Sequence, residues 1–139
     1  MSGICCNRRC NCRDGINDIR EGILDIQEGI RDIREGLEDI RENNCREGRR
    51  DICEGIRDIR EGLCDIIEGL RDIRFNVSRE GLRNVRRGIC DIREGIRDCC
   101  EGLNNICRGN RNRGIRNINK GINDMEEGLN AIIEGLAIN

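Results

Sequence analysis

Histidine, tryptophan, tyrosine, proline and any long apolar run are missing from this 139-residue chain, and Phe75 is its only aromatic residue. Without His or Tyr, two of the commonest acid–base groups are unavailable. No nucleophile–base pair or phosphate-binding loop stands out either, so the chain is not read as an enzyme. No apolar stretch approaches the ~18 residues that a membrane span needs, which argues against membrane insertion. No signal-peptide core follows Met1, so cytoplasmic synthesis without an export signal is expected. An excess of one charge is also missing. Charged residues make up 37% of the chain, yet the net charge is −2. The signs alternate within each heptad, so neither half reads as a nucleic-acid footprint.

What is present is a seven-residue phrase. Glu28–Leu37 reads EGIRDIREGL, and the same ten residues return at Glu54–Leu63. Ile16, Ile19, Ile23, Ile26, Ile30, Ile33, Leu37 and Ile40 are spaced alternately by three and four. That spacing averages 3.5 and marks an apolar stripe along a helix. With the apolar positions named a and d, Arg falls mostly at b and e, Asp at c, Glu at f and Gly at g.

The heptads are nested in a longer repeat. Glycines recur every seven residues from Gly15, Gly48, Gly81 and Gly114, and these starting points are each 33 apart. Between runs the phase slips, and the slips carry turn chemistry. Asn43, Asn76 and Gly109 stand where the next heptad glycine is due, and these residue types enter the left-handed conformation most cheaply. They are expected to be helix C-caps. Arg41, Arg74 and Arg108 precede them, where positive charge suits a helix C-terminus. Asn44, Ser78 and Asn110 follow as candidate N-caps, and Asp14, Glu47 and Glu80 fall in first turns. The pattern predicts helices over 13–42, 46–75, 79–108 and 112–138, each about 40–45 Å long, after a basic Cys-rich arm at 1–12. Short connections make neighbouring helices antiparallel. The expected fold is thus all-α, an antiparallel four-helix unit at 13–139.

A β-solenoid is the alternative, because Gly and Ile are poor helix formers and one Gly per heptad costs each helix roughly 3–4 kcal/mol against Ala. However, residues three apart in a strand point to opposite faces, so the Ile pairs would not share a core. The solenoid also gives no reason for the phase slip.

Eleven cysteines are an unusual number for this length. If the second and third helices are antiparallel about a turn near residue 76, facing positions have numbers summing to about 153. Cys45 and Cys107, Cys53 and Cys100, and Cys64 and Cys90 all satisfy that sum. Cys53, Cys100 and Cys107 are e positions, while Cys64 and Cys90 are b positions, which share one flank. Free Cys also behaves as a small hydrophobe, but b and e are otherwise held by Arg, so burial explains these thiols poorly. Intramolecular disulfides Cys45–Cys107, Cys53–Cys100 and Cys64–Cys90 are expected. If these helices meet through b and e, the glycines at g line the first–second and third–fourth seams, where they let backbones approach. Arg49 stands at an a position held by Ile16, Leu82 and Ile115 in the other repeats. It marks an imperfect layer or a contact with another chain.

The arm carries Cys5, Cys6, Cys10 and Cys12 within eight residues. Flanking Arg8, Arg9 and Arg13 favour thiolates and hence exchange. Three readings stay open: cross-linking between chains, local pairing, and capture of a soft metal such as Zn²⁺ or Cu⁺. The thiols are not arranged as separated CxxC knuckles, so no metal or cofactor is assigned. Cys99, at a d position, is expected to be a buried free thiol.

The clustered Cys5, Cys6, Cys10 and Cys12, the high Cys content and the simple repeats resemble the cysteine-rich, self-assembling proteins of bacterial spore surfaces, the exosporium and coat of clostridia and bacilli. That resemblance implies a structural protein that partners itself in a disulfide cross-linked sheet or fibre. It implies deposition on a spore or cell surface after synthesis in the cytoplasm, and no catalytic residues. A thiol-rich metal-binding or redox-buffering protein, or a helical adaptor, are the alternatives.

Overall fold

The computed structural model describes residues 12–138. Four α-helices follow one another: α1 (Cys12–Arg41), α2 (Cys45–Ile73), α3 (Arg79–Cys107) and α4 (Arg111–Leu136), with a 3-10 turn at Arg74–Asn76 between α2 and α3. No strand occurs among the described residues, so the heptad period overrides the poor helix propensity of Gly and Ile. Every boundary falls within two residues of the expectation. The arm is shortened by one, because Cys12 already opens α1.

Two of the three connections use the same stop. Asn43 has φ 72° and Gly109 has φ 93°. At the first, the Asn44 N–H donates to the Asp39 carbonyl and the Asn43 N–H to the Ile40 carbonyl. At the second, Asn110 and Gly109 donate to Asn105 and Ile106. This is the paired 6→1 and 5→2 bonding that satisfies a helix's last carbonyls. The same bonding closes α4 at Ala137, φ 55°. Asn44 and Asn110 precede the new helices without a side-chain cap bond, whereas Ser78 Oγ accepts from the Gly81 N–H at 2.9 Å.

Asn76 does not take the expected left-handed role. It is the last residue of the 3-10 turn, and the chain reverses through Val77, which is extended at φ −105° and ψ 137°. The physical reason is the sequence after it. Val77 is β-branched, favours extended backbone, and packs its side chain against the core. Ser78 then caps α3 directly.

The helices form two tight hairpins laid face to face. In each hairpin the glycines meet in register: Gly15 with Gly69, Gly22 with Gly62, Gly29 with Gly55 and Gly36 with Gly48, then Gly81 with Gly135, Gly88 with Gly128, Gly95 with Gly121 and Gly102 with Gly114. A Cβ placed on any of them would lie under 3.0 Å from the carbonyl oxygen of its partner. The hydrogen in that direction therefore points at the facing carbonyl, in both senses, as a ladder of Cα–H···O contacts worth about 0.5–1 kcal/mol each. Sixteen glycines serve this purpose. They forgo roughly 1 kcal/mol apiece of helix propensity, and the backbone approach is what offsets it.

The inner faces of the hairpins interdigitate through a and d. Ile19, Ile26, Ile33, Ile40, Ile52, Ile59, Ile66, Ile92, Ile118, Met125 and Ile132 are fully buried, and the a residues of the middle layers, such as Ile30, Ile56, Ile96 and Ile122, nearly so. Between hairpins, α1 lies beside α4 and α2 beside α3, but these seams are much sparser than the glycine seams. No helix is long and apolar enough to cross a membrane among the described residues.

Candidate functional site

A shift of 66 residues, two repeats, carries α1 onto α3 and α2 onto α4. It follows that the α2–α3 and α1–α4 seams are equivalent by repeat. Their chemistry is not. Cys45, Cys53, Cys64, Cys90, Cys100 and Cys107 all belong to α2 and α3, and the equivalent positions on the other seam hold Arg111, Asn119, Asn130, Leu24, Arg34 and Arg41. Among the described side chains, one of two matching seams thus carries all six of these thiols, and the other carries none.

The thiols sit among arginines. Arg49 Nη1 donates to Cys107 Sγ across the seam at 3.2 Å, and Arg60 Nη2 approaches Cys100 Sγ at 3.9 Å. The hydrogen bond that Arg49 donates to Cys107, and then the electrostatic pull of Cys107 with those of Cys45 and Cys53, push the Arg49 guanidinium above its ordinary value. Cys107 therefore lies against Arg49, and Cys45 and Cys53 are near enough to act on the same guanidinium. Arg49, the irregular a residue, leaves the core and points into this seam. Cys53, Cys64, Cys90 and Cys107 are exposed, Cys45 and Cys100 half-buried, and all six are free thiols here. Cys99 is fully buried, and burial above all pushes its thiol up to about 12. Of the arm thiols, Cys5, Cys6 and Cys10 lie outside the described residues. Cys12 begins α1, with its side chain also outside the description.

The seam's sparseness has a cause in the same sequence. Every charged residue at b and e of α2 and α3 is an arginine, for example Arg50, Arg57, Arg93 and Arg97, and all are exposed. Long side chains on both flanks keep the backbones apart where the glycine seams have none, and on α2 and α3 their like charge adds to this. The α1–α4 seam mixes signs instead, and Arg34 pairs with Glu126 across it at 2.6 Å.

The outer face of the α1–α2 hairpin is the reverse. Every c and f position of both helices is Asp or Glu. The c residues flank the glycine seam, with the Cβ of Asp25, Asp51 or Asp65 beside the facing glycine. Asp25 thus faces Asp65, Asp32 faces Asp58 and Asp39 faces Asp51. Burial raises Asp32, Asp51 and Asp65 above their ordinary value. The facing Asp adds to this in each case, together with Glu28, Glu35 and Glu54 for Asp32, Glu47 and Glu54 for Asp51, and Glu21, Asp18 and Glu68 for Asp65. The equivalent place in the other hairpin is neutralised from within. Lys120 Nζ lies 3.0 Å from Asp98, 3.1 Å from Asp124 and 3.8 Å from Glu94, and its hydrogen bonds to Asp98 and Asp124 raise its own value. The residue two repeats earlier is Glu54.

This has a pH consequence. A carboxyl raised in the folded state binds its proton more tightly folded than unfolded. Its contribution is therefore most favourable below the ordinary value near 3.8 and is lost as pH rises through the raised value. The protein should resist urea better near pH 4 than at pH 7. Asp32→Asn should gain stability at pH 7 and flatten this dependence. A urea midpoint that falls steadily from pH 7 to pH 4 in both proteins would contradict it.

No protein-family model, curated protein or solved structure matches this chain.

Proposed function

We propose that this protein is a structural unit, a rigid four-helix block stapled internally by disulfides across the α2–α3 seam and joined to further copies through the thiols of its N-terminal arm. The layer it builds is a protective one on a spore or cell surface, as its compositional resemblance implies. The observation that carries the reading is the confinement of six thiols to one of two seams that the repeat makes equivalent. Selection for a small apolar residue would have no reason to distinguish them, and four of the six are exposed. The staples use Cys45, Cys53, Cys64, Cys90, Cys100 and Cys107. Cys5, Cys6, Cys10 and Cys12 are left for neighbours, with Cys99 sealed in the core.

The test is oxidation of the purified full chain, followed by electron microscopy and by gels run with and without reductant. Large ordered assemblies that collapse to monomer on reduction are expected. Changing Cys5, Cys6, Cys10 and Cys12 to Ser should leave the helical circular dichroism intact and remove the covalent links. An oxidised wild-type chain that stays monomeric on non-reducing gels would overturn the reading, as would covalent assemblies of the arm variant.

A further inference from the structure

The signs that alternate along the chain separate when it folds. At b and e, the positions that form the α2–α3 face, arginine is the only charged residue, and the outer α1–α2 face carries carboxylates at every c and f position. Both faces run the length of helices of 29 and 30 residues, about 44 Å. With a width of two helices, about 20 Å, each offers on the order of 800 Å², the area one partner contributes to a standard interface.

We infer that the arginine face of one copy docks on the acidic α1–α2 face of a second copy, before and independently of any disulfide. The argument is complementarity together with the lack of an internal solution. The ion pairs across helices that the fold does make, Arg34–Glu126 and Lys120 with Asp98, lie on other seams. Among the described residues, the facing carboxylates around Asp32 have no equivalent of Lys120. An external guanidinium from a neighbour's α2–α3 face supplies what Lys120 supplies within the α3–α4 hairpin. The two faces are different surfaces of one molecule, so the contact is head-to-tail and leaves both faces open at the ends of any oligomer. Such contacts grow into filaments or close into rings. This inference extends the proposed structural role by giving the non-covalent contact that the arm thiols would then fix.

The experiment is sedimentation velocity of the full chain in reductant, where disulfides play no part. At low ionic strength the wild type should associate with rising concentration. At about 1 M salt, where the Debye length is about 3 Å, it should be monomeric. Two neutral variants divide the faces: Arg57→Gln with Arg60→Gln, Arg93→Gln and Arg97→Gln on one, and Glu28→Gln with Glu35→Gln, Glu54→Gln and Glu61→Gln on the other. All eight positions are exposed, so helix content should be unchanged. Each variant alone should associate at least tenfold more weakly than wild type, and an equimolar mixture should form one-to-one pairs that grow no further. Reduced wild type that is monomeric at low salt overturns the inference, even if it binds a polyanion such as heparin through its arginines. So does association that neither variant weakens, or a mixture that fails to pair. Loss of cross-linking on oxidation with salt-sensitive association intact would instead count against the arm thiols alone.

Discussion

Alanine at Gly22, Gly29, Gly55 and Gly62 together should destabilise the protein by at least about 3 kcal/mol, although helix propensity alone calls for a gain of about 4 kcal/mol. The sign is what makes the experiment decisive. Each new Cβ would lie under 3.0 Å from a backbone oxygen of the facing helix, and a backbone carbonyl in a continuous helix cannot rotate aside. The hairpin must then widen, which breaks the Cα–H···O ladder and lifts the Ile stripe of one helix off the other. Overpacking of this kind typically costs 1–3 kcal/mol per site, set against a total stability of roughly 5–15 kcal/mol for a native domain. Urea denaturation of the reduced protein measures it. Gly109→Ala serves as the local comparison: a Cβ there meets nothing within 4 Å, but φ is 93°, so only backbone strain of the order of 1 kcal/mol is expected. A quadruple variant more stable than wild type would mean that the helices do not meet through glycine.

That seam was legible before any coordinates because register is arithmetic. Once the phase slips are read as turns, Gly29 can face only Gly55, and glycine at one fixed heptad position signals close approach. Asn76 departs from the expectation because residue type alone does not decide the stop. Asn43 and Gly109 are followed by Asn, which tolerates the bonding pattern, whereas Asn76 is followed by Val77, which demands extended backbone. The separation of the charges is harder to read from the sequence, for a different reason. Arg31, Asp32 and Glu35 look mixed in a line, yet b, c and f are different directions on a helix, and only the three-dimensional arrangement shows arginines of α2 and α3 on one face and carboxylates of α1 and α2 on another. The sparseness of the α2–α3 seam could have been foreseen from the same arginines. Reading the thiols there as facing partners identified their seam without specifying its width.

Oxidation should turn that width into a measurable change. A disulfide holds its Cα atoms roughly 4.4–6.8 Å apart, so closing Cys53–Cys100 and Cys64–Cys90 must draw α2 and α3 together against their arginines. Cys64–Cys90 closes the shortest loop, and chain entropy gives it about 3–4 kcal/mol. In a domain of this size that corresponds to a rise of roughly 10–15 °C in Tm. The outer bridges, Cys53–Cys100 and Cys45–Cys107, close smaller additional loops once the first is made and should add less each. Arginine repulsion subtracts from every bridge, so raising the salt concentration should speed closure of the seam. Cys99 is the internal control. It is fully buried with its thiol pushed up to about 12, and it should resist alkylation until the protein unfolds, in the reduced and the oxidised protein alike. Peptide mapping after oxidation and alkylation should recover the three linkages, with Cys99 labelled only in denaturant. Cys53 or Cys64 joined to a residue outside α3, or an oxidised protein whose Tm equals that of the reduced one, would show that these thiols do not staple the seam.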